Sequence, residues 1–266
     1  MRLHRKVLVG LAAGMAAVMV SRAQSTVPNE RGLWQLWAAS TNAAGEHASV
    51  VTACSDFRTQ TPQDPFVIVV TGVEAWQLLK MGNTQKAISL FESMLTVPEN
   101  ATYLQIAGAE MARVWLTRID RDHVQASLKK IYVRDIAFPV SLESIKSLRS
   151  APMPPLNDRW GKPWSYRLES SIKGMDSQHY VLESTRLGVR TDLATALAQP
   201  YAGQIKLEPA RLLPVSTDTV EFITRDGTHA FLQAGGKSDG VTVAYLGVNL
   251  IIMADESHWR ISPKPR

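Results

Sequence analysis

The sequence predicts an α+β protein: antiparallel helical hairpins first, a helix with a small sheet next, and a small antiparallel β domain last. Three observations carry this. Between residues 30 and 132 apolar side chains recur at helical spacing, interrupted at short polar or glycine-bearing turns. Between 164 and 184 the runs WSYRL and HYVLES alternate with a period of two. From Gln204 onward the chain is strand-like throughout.

The chain opens MRLHRKVLVGLAAGMAAVMVSRAQS, where Arg2, Arg5 and Lys6 precede an apolar run from Val7 to Val20. A bilayer span needs roughly 20 residues, and this run is shorter. Ser21 and Ala23 supply a small-x-small cleavage pattern, so residues 1–23 read as a signal peptide of an exported, periplasmic or secreted protein. An uncleaved amino-terminal anchor is the alternative. Arg2, Arg5, Lys6 and Arg22 account for four of the +5 formal charges, which leaves the rest of the chain nearly neutral. That balance, with no block of like charge, excludes a nucleic-acid footprint. The single cysteine, Cys54, has no partner for an internal disulfide and sits in a helical pattern, as a small buried residue does.

The helical part, residues 28–130, contains two similar units. In GVEAWQLLKMGNTQKAISLFESMLTVPEN, Trp76, Leu79, Ala87, Ile88, Phe91, Met94 and Leu95 fall at helical spacing around a break at Gly82–Asn83. The first unit offers Trp34, Trp37, Gly45, Val50, Cys54, Phe57 and Pro62 in the same order. Gly45 to Gly82 and Pro62 to Pro98 are 37 and 36 residues apart. This layout resembles the tetratricopeptide repeat family, with Trp76, Gly82, Ala87, Phe91 and Pro98 where that pattern expects them. A third pair is expected from two stripes, Leu104 to Trp115 and Val124 to Tyr132, separated by Asp120-Arg121-Asp122. The stack would serve either as a plain scaffold or as a peptide-binding groove.

Residues 131–200 change character. A short helix carries Leu142, Ile145 and Leu148, a proline-rich loop follows, and DRWGKPW leads into two strands. Asp158 accepts hydrogen bonds from turn backbone, Gly161 tolerates positive φ, and Pro163 suits a strand start. Trp160 and Trp164 are expected to cover the sheet against the helix before it. The series Tyr132, Phe138, Pro139, Leu142, Asp158, Trp160, Gly161, Pro163, Tyr166, Gly174, Tyr180, Leu182, Ser184, Gly188, Asp192 and Leu193 resembles the globular part of the major pseudopilins of type II secretion. Those proteins begin with a long apolar helix bearing a glutamate, which this chain does not match, so the resemblance does not imply polymerisation. They also bind calcium in an acidic loop. Here that loop reads TRLGVRT and keeps only Asp192, against the six to eight oxygen ligands calcium needs, so calcium is not expected.

The last segment, 204–264, is expected to be a compact five-stranded unit: TVEFIT, HAFLQ, VTVAYL, NLIIMAD and HWRIS, with Asp226–Gly227 as a hairpin turn. Leu250 and Ile252 should face one way, and Ile251 and Met253 the other. GGKSDG is not a phosphate loop, because Phe231 stands where the first glycine is required and a strand pattern follows. The segment is similar to small periplasmic β domains of pilus-assembly lipoproteins and of the type II secretion C component. In those proteins the domain contacts the outer-membrane secretin.

No catalytic motif, metal-ligand spacing or cofactor site is read from the sequence: there is no H-E-x-x-H and no G-x-S-x-G. The resemblances imply a non-catalytic exported adaptor of an envelope secretion or pilus-like machine, with protein partners in the envelope and no nucleotide. Two alternatives remain: a free periplasmic peptide-binding repeat protein, and a hydrolase whose groups meet only in space.

Overall fold

The computed structural model describes residues 27–42, 46–148, 153–169, 178–199, 201, 205–213 and 216–265. The signal-peptide reading, Gly45 and Gly174 lie outside the described residues. The architecture is mixed α+β, with every strand pair antiparallel.

Four helices come first: α1 Glu30–Asn42, α2 His47–Gln60, α3 Val67–Lys80 and α4 Thr84–Ser93. The α3–α4 turn follows from Gly82, whose φ of 75° lets Asn83 N–H reach the Leu78 carbonyl (2.8 Å) and Gly82 N–H the Leu79 carbonyl (3.0 Å). α3 is apolar nearly all round and is buried on all sides, as such a helix must be. Its buried Glu74 is neutralised by Arg58 at 2.8 Å, and Gln77 is bonded to His47 Nδ1 at 2.5 Å.

The expected third hairpin is instead one helix of 33 residues, α5 Tyr103–Asp135. Thr102 and Gln105 start it with a reciprocal capping box. Asp120-Arg121-Asp122 looks like a polar turn but contains no glycine or proline, and its first two charges point inward. Asp120 is buried against Arg159, and Arg121 holds Asp192 Oδ2 (3.0 Å) and the Leu182 carbonyl (2.9 Å). The first half of α5 completes the helical core through Leu104, Met111 and Trp115. The second half supplies Val124, Leu128 and Ile131 to a separate core.

α5 stops at Ile136, an exposed side chain held at φ 56°. That conformation costs an ordinary residue roughly 1–2 kcal/mol, and glycine adopts it freely. Ile136→Gly is therefore expected to raise stability by about 0.5–1 kcal/mol once glycine's greater freedom in the unfolded chain is counted. The check is a higher denaturant midpoint at unchanged slope.

The second core lies under β1 Ser165–Glu169 and β2 His179–Glu183, paired Ser165↔Glu183 to Glu169↔His179. Ile145, from a 3-10 helix at Leu142–Ser147, closes it with Trp164 and Leu182. A short α6 Leu193–Ala198, capped by Asp192, leads on.

Among its described residues the final segment has seven strands rather than five. β3 Glu208–Leu213, β4 Ser216–Ile223 and β5 His229–Leu232 form one sheet. β6 Lys237–Ser238, β7 Val241–Leu246, β8 Leu250–Ala254 and β9 Trp259–Pro263 form the other. β3 carries Pro209, which argues against a strand in sequence, and it tolerates the proline with a break in register at 209–211. β6 is too short to show periodicity. Its hairpin to β7 turns on Asp239 (φ 50°) and Gly240 (φ 75°), the two positive angles that a tight two-residue loop requires.

The two sheets enclose Val220, Phe222, Val243, Ile251 and Met253. The opposite face of the four-stranded sheet sends Ala244, Leu250, Ile252, Trp259 and Ile261 into the helical core. β8 is thus covered on both faces, with the alternation read from its sequence. The helical face that would have formed an open groove is occupied by the chain's own strands.

Candidate functional site

Asp158 organises the DRWGKP corner. Its Oδ1 accepts the N–H groups of Trp160 (3.0 Å) and Lys162 (2.9 Å), and its Oδ2 accepts the Ser184 hydroxyl (2.8 Å). Three donors offset the desolvation of this buried carboxylate. Gly161 sits at φ 77°, closing the turn with its N–H on the Asp158 carbonyl at 2.9 Å. Pro163 forms an isolated bridge with Asn157, two residues ahead of β1. Trp164 is buried in the sheet core and donates to the Pro155 carbonyl at 2.9 Å. Phe138 packs on Tyr132 and Tyr180, each with ring centroids 4.6 Å apart. The Pro139 carbonyl accepts the Tyr166 hydroxyl at 2.6 Å, and burial pushes that phenol up to about 12.

Trp160 departs from expectation. It is half-buried and turned away from the sheet onto α5, where its Nε1 donates to Glu110 Oε2 at 3.2 Å. The Arg186 guanidinium lies 4.6 Å over its ring and pairs with the same glutamate. The reason is the Asp158 turn, which points residues 160 and 164 to different sides. Trp164→Ala is expected to cost about 3–5 kcal/mol, and Trp160→Ala less, about 1–2 kcal/mol, because its ring is only partly covered. Thermal melts of the two variants check the ordering.

Next to Trp160 opens a cleft of about 470 Å³. One wall is a stripe of α5: Tyr103, Ile106, Ala107, Glu110, Arg113 and Val114. The facing wall is the β6–β7 hairpin, with Gly235, Lys237 and Thr242, and the floor is the end of β8 with Asp255 and Glu256. The Tyr103 ring lies on the Gly235 backbone, where an added Cβ would come within 2.4 Å of it.

Behind the floor, Trp115 Nε1 and Arg118 Nη1 grip Ser257 at its carbonyl (2.7 Å) and hydroxyl (2.9 Å). Burial lowers Arg118 to about 10, so it remains charged at neutral pH, and it lies 4.7 Å over the Trp115 ring.

Two His–carboxylate pairs occur among the described residues. His229 Nδ1 lies 2.7 Å from Glu221 Oε1, a carboxylate that Arg211 also holds, on the strands β4 and β5 away from the cleft lining, and His258 lies beside Asp255 at the cleft floor. Nδ1 of His258 is 3.5 Å from Asp255 Oδ2, longer than a hydrogen bond. Its Nε2 is buried with no partner among the described residues, and the ring stands edge-on to Trp115 and Tyr201. Asp255 spends its carboxylate on the backbone N–H groups of Ser257 and His258, both at 2.6 Å. The pair shapes a corner and does not present a base to the cleft.

The remaining residues singled out from the sequence are distant from the cleft. Trp76, Ala87 and Phe91 are buried in the helical core, with Phe91 stacked on Trp115 at 6.3 Å. Asp226 holds the β4–β5 turn, where the Thr224 and Thr228 hydroxyls bring it down to about 2, and Gly227 takes φ 82°. The cleft was missed because its walls come from segments about 130 residues apart. Tyr103 and Ile106, apolar residues off the buried stripe of Leu104, Met111 and Trp115, were its one sequence signal. Compared with family models, curated proteins and solved structures, the chain matches none of them.

Proposed function

We propose that the protein is a non-catalytic adaptor of an envelope secretion or pilus-like machine that docks a protein partner. The observation that carries this reading is the cleft along α5, an open trough with a mixed apolar and charged lining beside β6, the end strand of its sheet among the described residues. Such a lining recognises a chain segment. On this reading α1–α4 are two tetratricopeptide-like hairpins that brace α5. Residues 122–193 are a pseudopilin-like unit fastened to its second half, and the C-terminal strands are a secretin-facing β unit. The resemblance of DRWGKPW and its surroundings to pseudopilins supports the cellular setting. Export, through cleavage after Ala23 or with the amino-terminal segment kept as an anchor, places the adaptor in the periplasm.

The test is affinity capture of the tagged protein from its own cells after mild crosslinking, with partners identified by mass. Recovery of a secretin, a pseudopilin or an inner-membrane assembly protein is the expected result. A protein that runs free and monomeric, with none of these attached, overturns the proposal.

A further inference from the structure

We infer that the cleft between α5 and β6 takes an extended peptide segment of a partner protein, one that places a carboxylate beside a bulky apolar side chain. This rests on the docking reading and names what docks.

Length fits first. The α5 stripe from Tyr103 to Val114 covers eleven residue steps, or roughly 16 Å at helical rise. An extended strand covers that distance in about five residues. The hairpin side offers main-chain pairing. β6 ends its sheet with no strand beyond it, among the described residues, and strand addition at such an edge is a common mode of peptide capture.

Charge selects the side chain. The cleft lining holds three cations, Arg113, Arg186 and Lys237, and three acids, Glu110, Asp255 and Glu256, with Asp255 spent on backbone N–H groups. Glu256 is shared by Arg118 and Arg190, and Glu110 by Arg113 (3.4 Å) and Arg186. Asp239, at the hairpin tip, turns away and accepts the backbone N–H of Arg225 at 3.3 Å. Lys237 has no ion-pair partner among the described residues. A carboxylate between Lys237 and Arg113 pairs with that lysine and with an arginine whose own glutamate is shared. The three carboxylates lining the same walls disfavour a polyphosphate chain. Beside the charged positions, Tyr103 and Ile106 are 51% and 50% exposed on a helix whose other apolar residues are mostly covered, and they form the seat for the apolar neighbour.

The probe is fluorescein-labelled Val-Phe-Glu-Val-Thr, titrated with the full chain and read by anisotropy. Saturable binding is expected, weakened about tenfold or more by Lys237→Glu or Arg113→Glu and by changing the peptide's glutamate to lysine. Lys237 is exposed and Arg113 partly so, and a circular dichroism melt confirms that the variants fold. No saturable binding, equal binding of the lysine peptide, or full competition by glutarate alone overturns the inference. A photoreactive residue at position 106 or at position 231 on β5 separates it from the docking reading. Crosslinking of an envelope partner from 231 and not from 106 leaves the adaptor and removes the cleft. Crosslinking from neither position removes both.

Discussion

Trp259→Ala is expected to destabilise the protein by about 3–5 kcal/mol, the range for deleting a fully buried aromatic side chain. Trp259 starts β9 and is entirely inaccessible, with its ring pressed on α3. The fit is close enough that a Cβ added to Gly72 would come within 2.8 Å of the indole nitrogen. Gly72→Ala alone should therefore cost about 1–3 kcal/mol through overpacking. In the Trp259→Ala background most of that cost should vanish, because the ring it strikes is gone. Chemical denaturation of the two single variants and the double variant measures this coupling. Additive costs would mean that β9 and α3 are not packed face to face.

Asp120→Ala carries the second large effect. Asp120 is buried on α5 and is gripped by Arg159 through Nε and Nη2, the latter at 3.0 Å. Removing one member of a buried pair leaves the other charge stranded, at about 3–5 kcal/mol. Arg159 is partly solvated, so the lower end of that range applies to Asp120→Ala. Arg159→Ala should be at least as costly, since it leaves the carboxylate buried. The double variant is expected to cost clearly less than the two together, by about 1 kcal/mol or more. If the costs simply add, the corner is not tied to α5 through this pair.

Much of the architecture was legible because it rests on local chemistry. Gly82, Asp226–Gly227 and the Asp158–Gly161 turn are positions where a specific φ or an aspartate acceptor is needed, and the sequence displays them. The alternation at 250–253 showed a strand covered on two sides, and both coverings exist. What could not be read is what depends on distant partners. Asp120-Arg121-Asp122 resembles a turn until Arg159 and Asp192 arrive to accept its charges. Trp160 resembles a core residue until Glu110, fifty positions earlier, claims its indole N–H. β6 is two residues long and has no period of its own. The cleft is the extreme case, since neither α5 nor the hairpin displays it alone.

All of these features depend on α5 being a single unbroken spine, with the helical core on its first half and the core under β1 and β2 on its second. Native-state hydrogen exchange across residues 115–128 tests this most directly. The amides of Ile119, Asp120, Arg121 and Asp122 are expected to exchange as slowly as those of Trp115 and Leu128, through one common opening. Fast exchange confined to Ile119–Asp122, between two separately protected stretches, would mean a hinge at Asp120. The corner and the cleft would then belong to bodies that move independently, contradicting the single-spine account.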